Sequence, residues 1–292
     1  MVFAMRRVVT RTALRMLTWL ADQRFARRIA ARQHTSGAVR VIWSVASRPL
    51  RWRPIPILGG PAKGLRINLH GSAVAFATGG AERPLQDALM REVHEGATVF
   101  DIGANVGFVT LVAARLVGPA GRVVAFEPVP ENAAAIRENL ALNAIDWVEL
   151  HETAVGRAGG TATMIVSDVS AFSRLEAINV PTGARERIDV SVTSIDEFMS
   201  LGAAPVPDVV KIDVEGAELE VLEGMRRTIA EHRPVILCEV HDCNAAYVEL
   251  MQSMGYETEN LDESGVPVER GHRNAHTLAK PIASPAPASA AG

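Results

Sequence analysis

Cysteine is scarce, with two residues among 292. That excludes a disulfide-stapled scaffold and makes a reducing, cytoplasmic compartment the expectation. Long apolar runs are missing as well: no stretch reaches the roughly 18 uninterrupted apolar residues of a transmembrane helix. Arg11 and Arg15 interrupt the one candidate for a secretory signal. Net charge is small, −3, so the whole chain carries no electrostatic footprint for nucleic acid. No internal repeat is found. What the chain does have is length for a buried core and 48% apolar residues, too many for a disordered protein.

Acids are nearly absent from the front. Residues 1–53 hold twelve arginines, no lysine and one acid, Asp22, for a local charge of +11, against −14 over the remainder. Leu14, Leu17, Ala21, Phe25 and Ile29 recur at helical spacing, and Arg24, Arg28 and Arg32 share that side. A basic helical extension is expected, packing on the acidic body or making peripheral contact with an anionic membrane surface. Arg48–Pro56 reads as a proline-broken linker, and Ser284–Gly292 as a disordered Ala/Pro/Ser tail. The expected division is 1–53 extension and linker, 54–281 folded domain, and 282–292 tail.

Within the domain, strands and helices alternate. Alternating Leu65, Ile67 and Leu69 suggest a strand and Pro84–Glu95 a helix. Strands are expected at Thr98–Ile102, Arg122–Phe126, Val148–Leu150, Thr161–Val166, Val190–Thr193, Val209–Ile212, Val235–Val240, Tyr256–Leu261 and His276–Ala279. Helices are expected at Val106–Val117, Glu131–Asn143, Ala217–Glu231 and Ala245–Met254. Such alternation predicts an α/β fold, a parallel sheet with helices on both faces.

Three segments carry chemistry. Val99–Gly107 (VFDIGANVG) is an apolar strand ending in Asp101, then a glycine turn into a helix. Glycines there let backbone amides approach a ligand at the carboxyl end of a strand. The spacing is D-x-G-x-N-x-G, and Asp101 would repel a pyrophosphate but attract an ammonium. In Val123–Pro128 (VVAFEP), Glu127 ends the next strand, where an acid can accept hydrogen bonds from a ribose diol. A ligand with a ribose at one end, an amine at the other and no phosphate is S-adenosylmethionine. In Pro207–Glu218 (PDVVKIDVEGAE), Lys211, Asp213 and Glu215 alternate toward one side of a strand exit. Three ionisable groups so placed are costly unless paired or functional.

These motifs come in a fixed order: DIGANVG, FEP, the AVG of Ala154–Gly156, SVTSIDEF, KIDVEGAELEVLEG and PVILCEVH. Over residues 63–280 the chain resembles the FkbM family of S-adenosylmethionine-dependent methyltransferases. The resemblance implies a class I, Rossmann-like fold with a doubly wound, mostly parallel seven-stranded sheet. It implies S-adenosylmethionine as cofactor, held by Asp101, Gly103, Asn105, Gly107 and Glu127, with adenine near Thr153–Ala154. Lys211, Asp213 and Glu215 would then lie beside the methyl group and the acceptor. The family is similar to enzymes that O-methylate hydroxyls on sugars, glycolipids and secondary metabolites.

A hydroxyl acceptor calls for a general base. Asp213 is the first candidate, Glu215 the second and His241 the third. The sequence assigns no metal ligands. Cys238 and Cys243 lack the second pair that structural zinc requires, and a hard cation on Asp213, Glu239 and His241 stands as a lesser alternative. No N-P-P-Y turn follows the Val209–Ile212 strand, which argues against amide or DNA-base methylation. The competing functions are a nicotinamide-dependent oxidoreductase, opposed by Asp101, and a catalytically silent, membrane-recruited binding protein using the basic front.

Overall fold

The computed structural model describes residues 53–70, 75–167, 174–175, 184–202 and 205–282. The expected basic helical extension, most of the expected linker and residues 283–292 of the expected tail lie outside them. The chain opens with β1 (Ile55–Pro56), β2 (Arg66–Ile67), α1 (Ala75–Thr78), α2 (Arg83–Glu92) and β3 (Thr98–Ile102). Next come α3 (Phe108–Val117), β4 (Arg122–Phe126), α4 (Pro130–Ala141), β5 (Val148–His151) and β6 (Ala154–Val155). Then follow β7 (Gly160–Ser167), β8 (Arg174–Leu175), β9 (Ala184–Thr193), α5 (Ile195–Ser200) and β10 (Val209–Ile212). The domain closes with α6 (Glu218–Glu223), α7 (Arg226–His232), β11 (Val235–His241), α8 (Asn244–Ser253), β12 (Tyr256–Asn260) and β13 (Asn274–Pro281).

Seven strands form the central sheet, in the order β12-β13-β11-β10-β3-β4-β5. Five run parallel, and the antiparallel β13 joins β12 to the edge of β11. The alternation of each strand divides the core in two. Val99, Val123, Ala125 and Leu237 pack with Leu85, Leu89, Leu111 and Ile136 of α2, α3 and α4. Phe100, Phe126, Ile212 and Ile236 face the other way, onto Ile195, Leu222, Ile229 and Met251 of α5 to α8. A sheet covered on both faces needs nearly continuous apolar strands, and VVAF and VVKI are such strands. A smaller sheet, β6-β9-β7-β8, stands beside this one.

Three local differences from the sequence expectation have physical causes. Ile55, which lies both in the Arg48–Pro56 segment read as a linker and in the expected 54–281 domain, is buried and pairs with Ile67, so that residue belongs to the fold and not to the linker. The helix expected over 217–231 breaks into α6 and α7 at Gly224–Met225. A Cβ on Gly224 would stand 2.0 Å from the carbonyl oxygen of Gly156, so the backbone there is pressed against the β6 turn. The strand expected at 190–193 is the end of the ten-residue β9, whose partner β7 supplies the pairing. The SVTSIDEF motif, in turn, is a helix start. Ser194 Oγ accepts from the Glu197 amide, and Glu197 Oε2 accepts from the Ser194 amide, both at 3.1 Å. Such a capping box contributes about 1 kcal/mol.

Candidate active site

The carboxyl ends of β3, β4 and β10 converge on one cleft. Gly103, Asn105, Glu127, Thr153, Ala154, Asp213 and Glu215 line it. The floor is a turn that β10 leaves no room to change. Gly103 has φ 78°, and a Cβ there would lie 1.8 Å from the carbonyl oxygen of Asp213. Its amide and that of Ala104 donate to the carbonyl oxygen of Phe126, tying the turn to β4. Gly103→Ala is therefore expected to lower stability by roughly 2 kcal/mol or more, from the left-handed backbone and the collision together. Thermal unfolding measures it, and an unchanged midpoint would show that the turn tolerates a side chain.

Glu127 is 4% exposed. Its Oε2 accepts from the Asn105 amide at 2.8 Å, and its Oε1 accepts from the Val129 amide at 2.9 Å and Asn132 Nδ2 at 3.2 Å. Burial pushes its carboxyl up to about 7, and these three donors hold it from rising further. Asn105 Oδ1 is buried and has no hydrogen-bond partner among the described residues. The cleft thus offers a carboxylate and an unsatisfied amide oxygen.

Asp101 departs from the expectation. Its side chain is wholly buried and does not line the cleft. Oδ2 accepts from Thr110 Oγ1 at 2.6 Å, and Oδ1 stands 3.1 Å from Lys211 Nζ. The cause is register: parallel pairing sets Asp101 level with Lys211 on the neighbouring strand. The carboxylate neutralises a buried lysine instead of drawing in a ligand ammonium. Burial alone would pull the Lys211 ammonium down, but Asp101 and then Asp213, at 3.8 Å, hold it above the usual lysine range. Lys211 Nζ donates to the carbonyl oxygens of Gly103 at 2.7 Å and Ile102 at 3.4 Å. Asp101 therefore acts on the cleft at one remove, through the lysine that fixes the glycine turn. Gly107 also stands back from the lining. It begins α3 at φ 85°, and a Cβ there would press on Ile136 at 3.1 Å.

At the opposite rim, Asp213 and Glu215 join a second group. His241 Nδ1 is 2.9 Å from Glu218 Oε1, while its Nε2 faces Glu215 and Glu239 at 3.6 Å each. Burial opposes charge on this imidazole, but the hydrogen bond to Glu218 and the surrounding carboxylates push its pKa up to about 9. Cys238 faces the core, on the other side of the strand from Glu239.

Two members of this group had no signal in the sequence reading. His276, counted there among the dispersed histidines, lies level with Glu239 in the antiparallel register, its Nε2 3.5 Å from Glu239 Oε2. Asp262 holds its Nδ1 at 3.1 Å. Glu82 begins α2 in the left-handed region, φ 49°, and its buried Oε2 has no hydrogen-bond partner among the described residues. Burial, followed by the charge of Asp213, pushes its carboxyl up to about 7. Only the strand order brings β13 and the start of α2 to this rim.

Comparison with known proteins concerns the family of the chain. The methyltransferase FkbM domain model matches residues 101–260. Hexuronic acid methyltransferase AglP of Haloferax volcanii is 29% identical over 162 residues, 52% of this chain and 59% of that protein. The 31-O-demethyl-FK506 methyltransferase FkbM of Streptomyces tacrolimicus is 27% identical over 187 residues, 55% of this chain and 71% of that protein. The match thus spans less than two thirds of the first relative's length. Among solved structures, methyltransferase FkbM from Methylobacillus flagellatus KT aligns at 17% identity with a TM-score of 0.44, over 72% of this chain and 56% of that one.

Proposed function

Because the chain belongs to the FkbM methyltransferase family, whose members depend on S-adenosylmethionine, we propose that it O-methylates a hydroxyl on a sugar, glycolipid or secondary metabolite. The observation that carries this reading is the pair Asp213–Glu215, which lies on the wall of the cofactor cleft and on the edge of the carboxylate–histidine group at once. The names of two relatives, a hexuronic acid methyltransferase and a 31-O-demethyl-FK506 methyltransferase, support an oxygen acceptor of this kind. Nothing in the family match favours the nicotinamide alternative.

The cleft fits the cofactor. The Glu127 carboxylate is placed to accept from a ribose diol, and Asn105 Oδ1 is an acceptor still lacking a donor. Gly103, with the carbonyl oxygen of Asp213 pressed against the place of a Cβ, keeps the turn at the cleft floor in its left-handed form. Ala154 and Thr153 form the wall beyond Glu127, where a flat base can lie. When bound, S-adenosylmethionine supplies an electrophilic methyl group on a sulfonium. The residues at the rim do the rest: they bind the acceptor, align it in line with the departing sulfur and keep water out. In that transfer Asp213 would take the proton of the acceptor hydroxyl. Lys211, 3.8 Å from Asp213, positions that carboxylate.

Asp213→Asn is expected to lower kcat by about 10²- to 10⁴-fold, the usual contribution of a general base, with the affinity for cofactor little changed. The assay pairs a panel of uronic acid and polyol glycosides with S-adenosylmethionine and reads the methylated product by mass and its O-methyl resonance. Loss of turnover in Asp213→Asn with binding retained supports the assignment. Full turnover in the variant removes Asp213 from the role, and methylation at nitrogen or carbon overturns the choice of acceptor.

A further inference from the structure

We propose that the rim of the cleft is a divalent-cation site of the Mn²⁺ type, with Asp213, Glu239 and His241 as its protein ligands. The inference rests on the methyltransferase reading and adds to it the device that holds the acceptor. One ligand atom from each of the three residues lies within 4.8 Å of the others, close enough to surround one ion. Two carboxylates balance the charge of a divalent cation. Carboxylate oxygens suit Mg²⁺, Ca²⁺ and Mn²⁺, and an imidazole suits the transition metals, so Mn²⁺ satisfies both halves of the set.

Three further observations point to a ligand here. His241 has a side chain only 5% exposed and turns Nε2 into this space, 3.6 Å from both Glu215 and Glu239. Its other nitrogen is held by the fully buried Glu218 at 2.9 Å, the outer-shell carboxylate that fixes the tautomer and orientation of metal-binding histidines. Glu82 Oε2 and His276 Nε2 are buried at the same rim without hydrogen-bond partners among the described residues. Asp213 and Glu239 both act on Glu82, and Glu239 stands 3.5 Å from His276 Nε2.

The position gives the site its use. Asp213 belongs both to this set and to the cofactor cleft. Three protein ligands leave coordination positions open, and a pair of neighbouring hydroxyls can occupy them. One oxygen of Asp213 toward the ion leaves the other toward the acceptor hydroxyl. The acceptor class that fits is therefore a vicinal diol or a hydroxy acid, rather than an isolated hydroxyl.

The test uses the full chain stripped with chelator, titrated with Mn²⁺ alone. The electron paramagnetic resonance signal of free Mn²⁺ gives the bound fraction, and S-adenosylhomocysteine binding is measured on the same samples. One saturable Mn²⁺ per chain is expected. Its affinity should fall about tenfold or more in Glu239→Gln and His241→Asn, and by about 10- to 100-fold in Glu218→Gln, which removes only the outer carboxylate. Retained S-adenosylhomocysteine binding shows that each variant is folded. No saturable site below millimolar Mn²⁺, or equal affinity in Glu239→Gln and His241→Asn, overturns the cation site. If S-adenosylhomocysteine still binds the unmodified chain in that event, the methyltransferase reading stands, and its absence there would mark the failure of that reading instead.

Discussion

Glu127→Ala is expected to weaken S-adenosylmethionine binding by about 2–3 kcal/mol, roughly 30- to 150-fold, as befits lost hydrogen bonds to a charged acceptor. The carboxylate lines the cleft, and only its ionised form accepts from both hydroxyls of a ribose. Burial, partly offset by the donors Val129, Asn105 and Asn132, puts its carboxyl at about 7. Affinity should therefore be full above pH 7 and fall toward tenfold per unit below it. Glu127→Gln should bind weakly at every pH, with no such slope. Stability runs the opposite way. The folded protein holds this proton more tightly than the unfolded chain, so the group favours folding at low pH, and that contribution is lost as pH rises from the ordinary glutamate value through about 7. Glu127→Gln should accordingly raise the unfolding midpoint at pH 8 while it weakens the ligand. Calorimetric titration and thermal scans at several pH values check both halves. A wild-type affinity independent of pH between 5.5 and 8 would remove Glu127 from the ribose.

The second large effect belongs to the ion pair beneath the turn. Lys211 and Asp101 are 3% and 0% exposed and stand 3.1 Å apart. Removing one member of a buried pair leaves an uncompensated charge, at a cost of about 3–5 kcal/mol. In a domain of this size that lowers the unfolding midpoint by roughly 10 °C. Lys211→Met and Asp101→Asn should both show it, while the double change Asp101→Leu with Lys211→Met should recover much of the loss, since apolar replacement of a buried pair is often neutral. The recovered double variant should still bind cofactor poorly, because Lys211 no longer holds the carbonyl oxygen of Gly103. Should Asp101→Asn keep the wild-type midpoint but lose cofactor affinity, Asp101 would be a direct ligand after all.

That difference marks where the sequence was legible and where it was not. The strands Thr98–Ile102, Arg122–Phe126 and Val209–Ile212 are readable to the residue, because each is a short apolar run bounded by turn-forming residues. The α/β class and the cleft residues Gly103 and Glu127 follow from the same local patterns, whereas Asn105 and Ala154 come from the family resemblance. Asp101 was placed at the strand exit, but its orientation depends on which strand lies beside β3 and in what register, and neither is written in the local pattern. Lys211 answers it from 110 positions later. Glu82 and His276 come to the rim from the start of α2 and from β13, elements that carry no motif. Gly224 could not be read as a helix break, because its constraint is the Gly156 carbonyl, a contact between distant turns.

The most direct measurement is a crystal structure of the chain grown with S-adenosylhomocysteine. The ribose hydroxyls should sit on Glu127, the amino acid end against the Gly103–Asn105 turn, and the sulfur should point toward Asp213. Crystals that form with the ligand elsewhere, or with its ribose turned away from Glu127, would contradict the central claim.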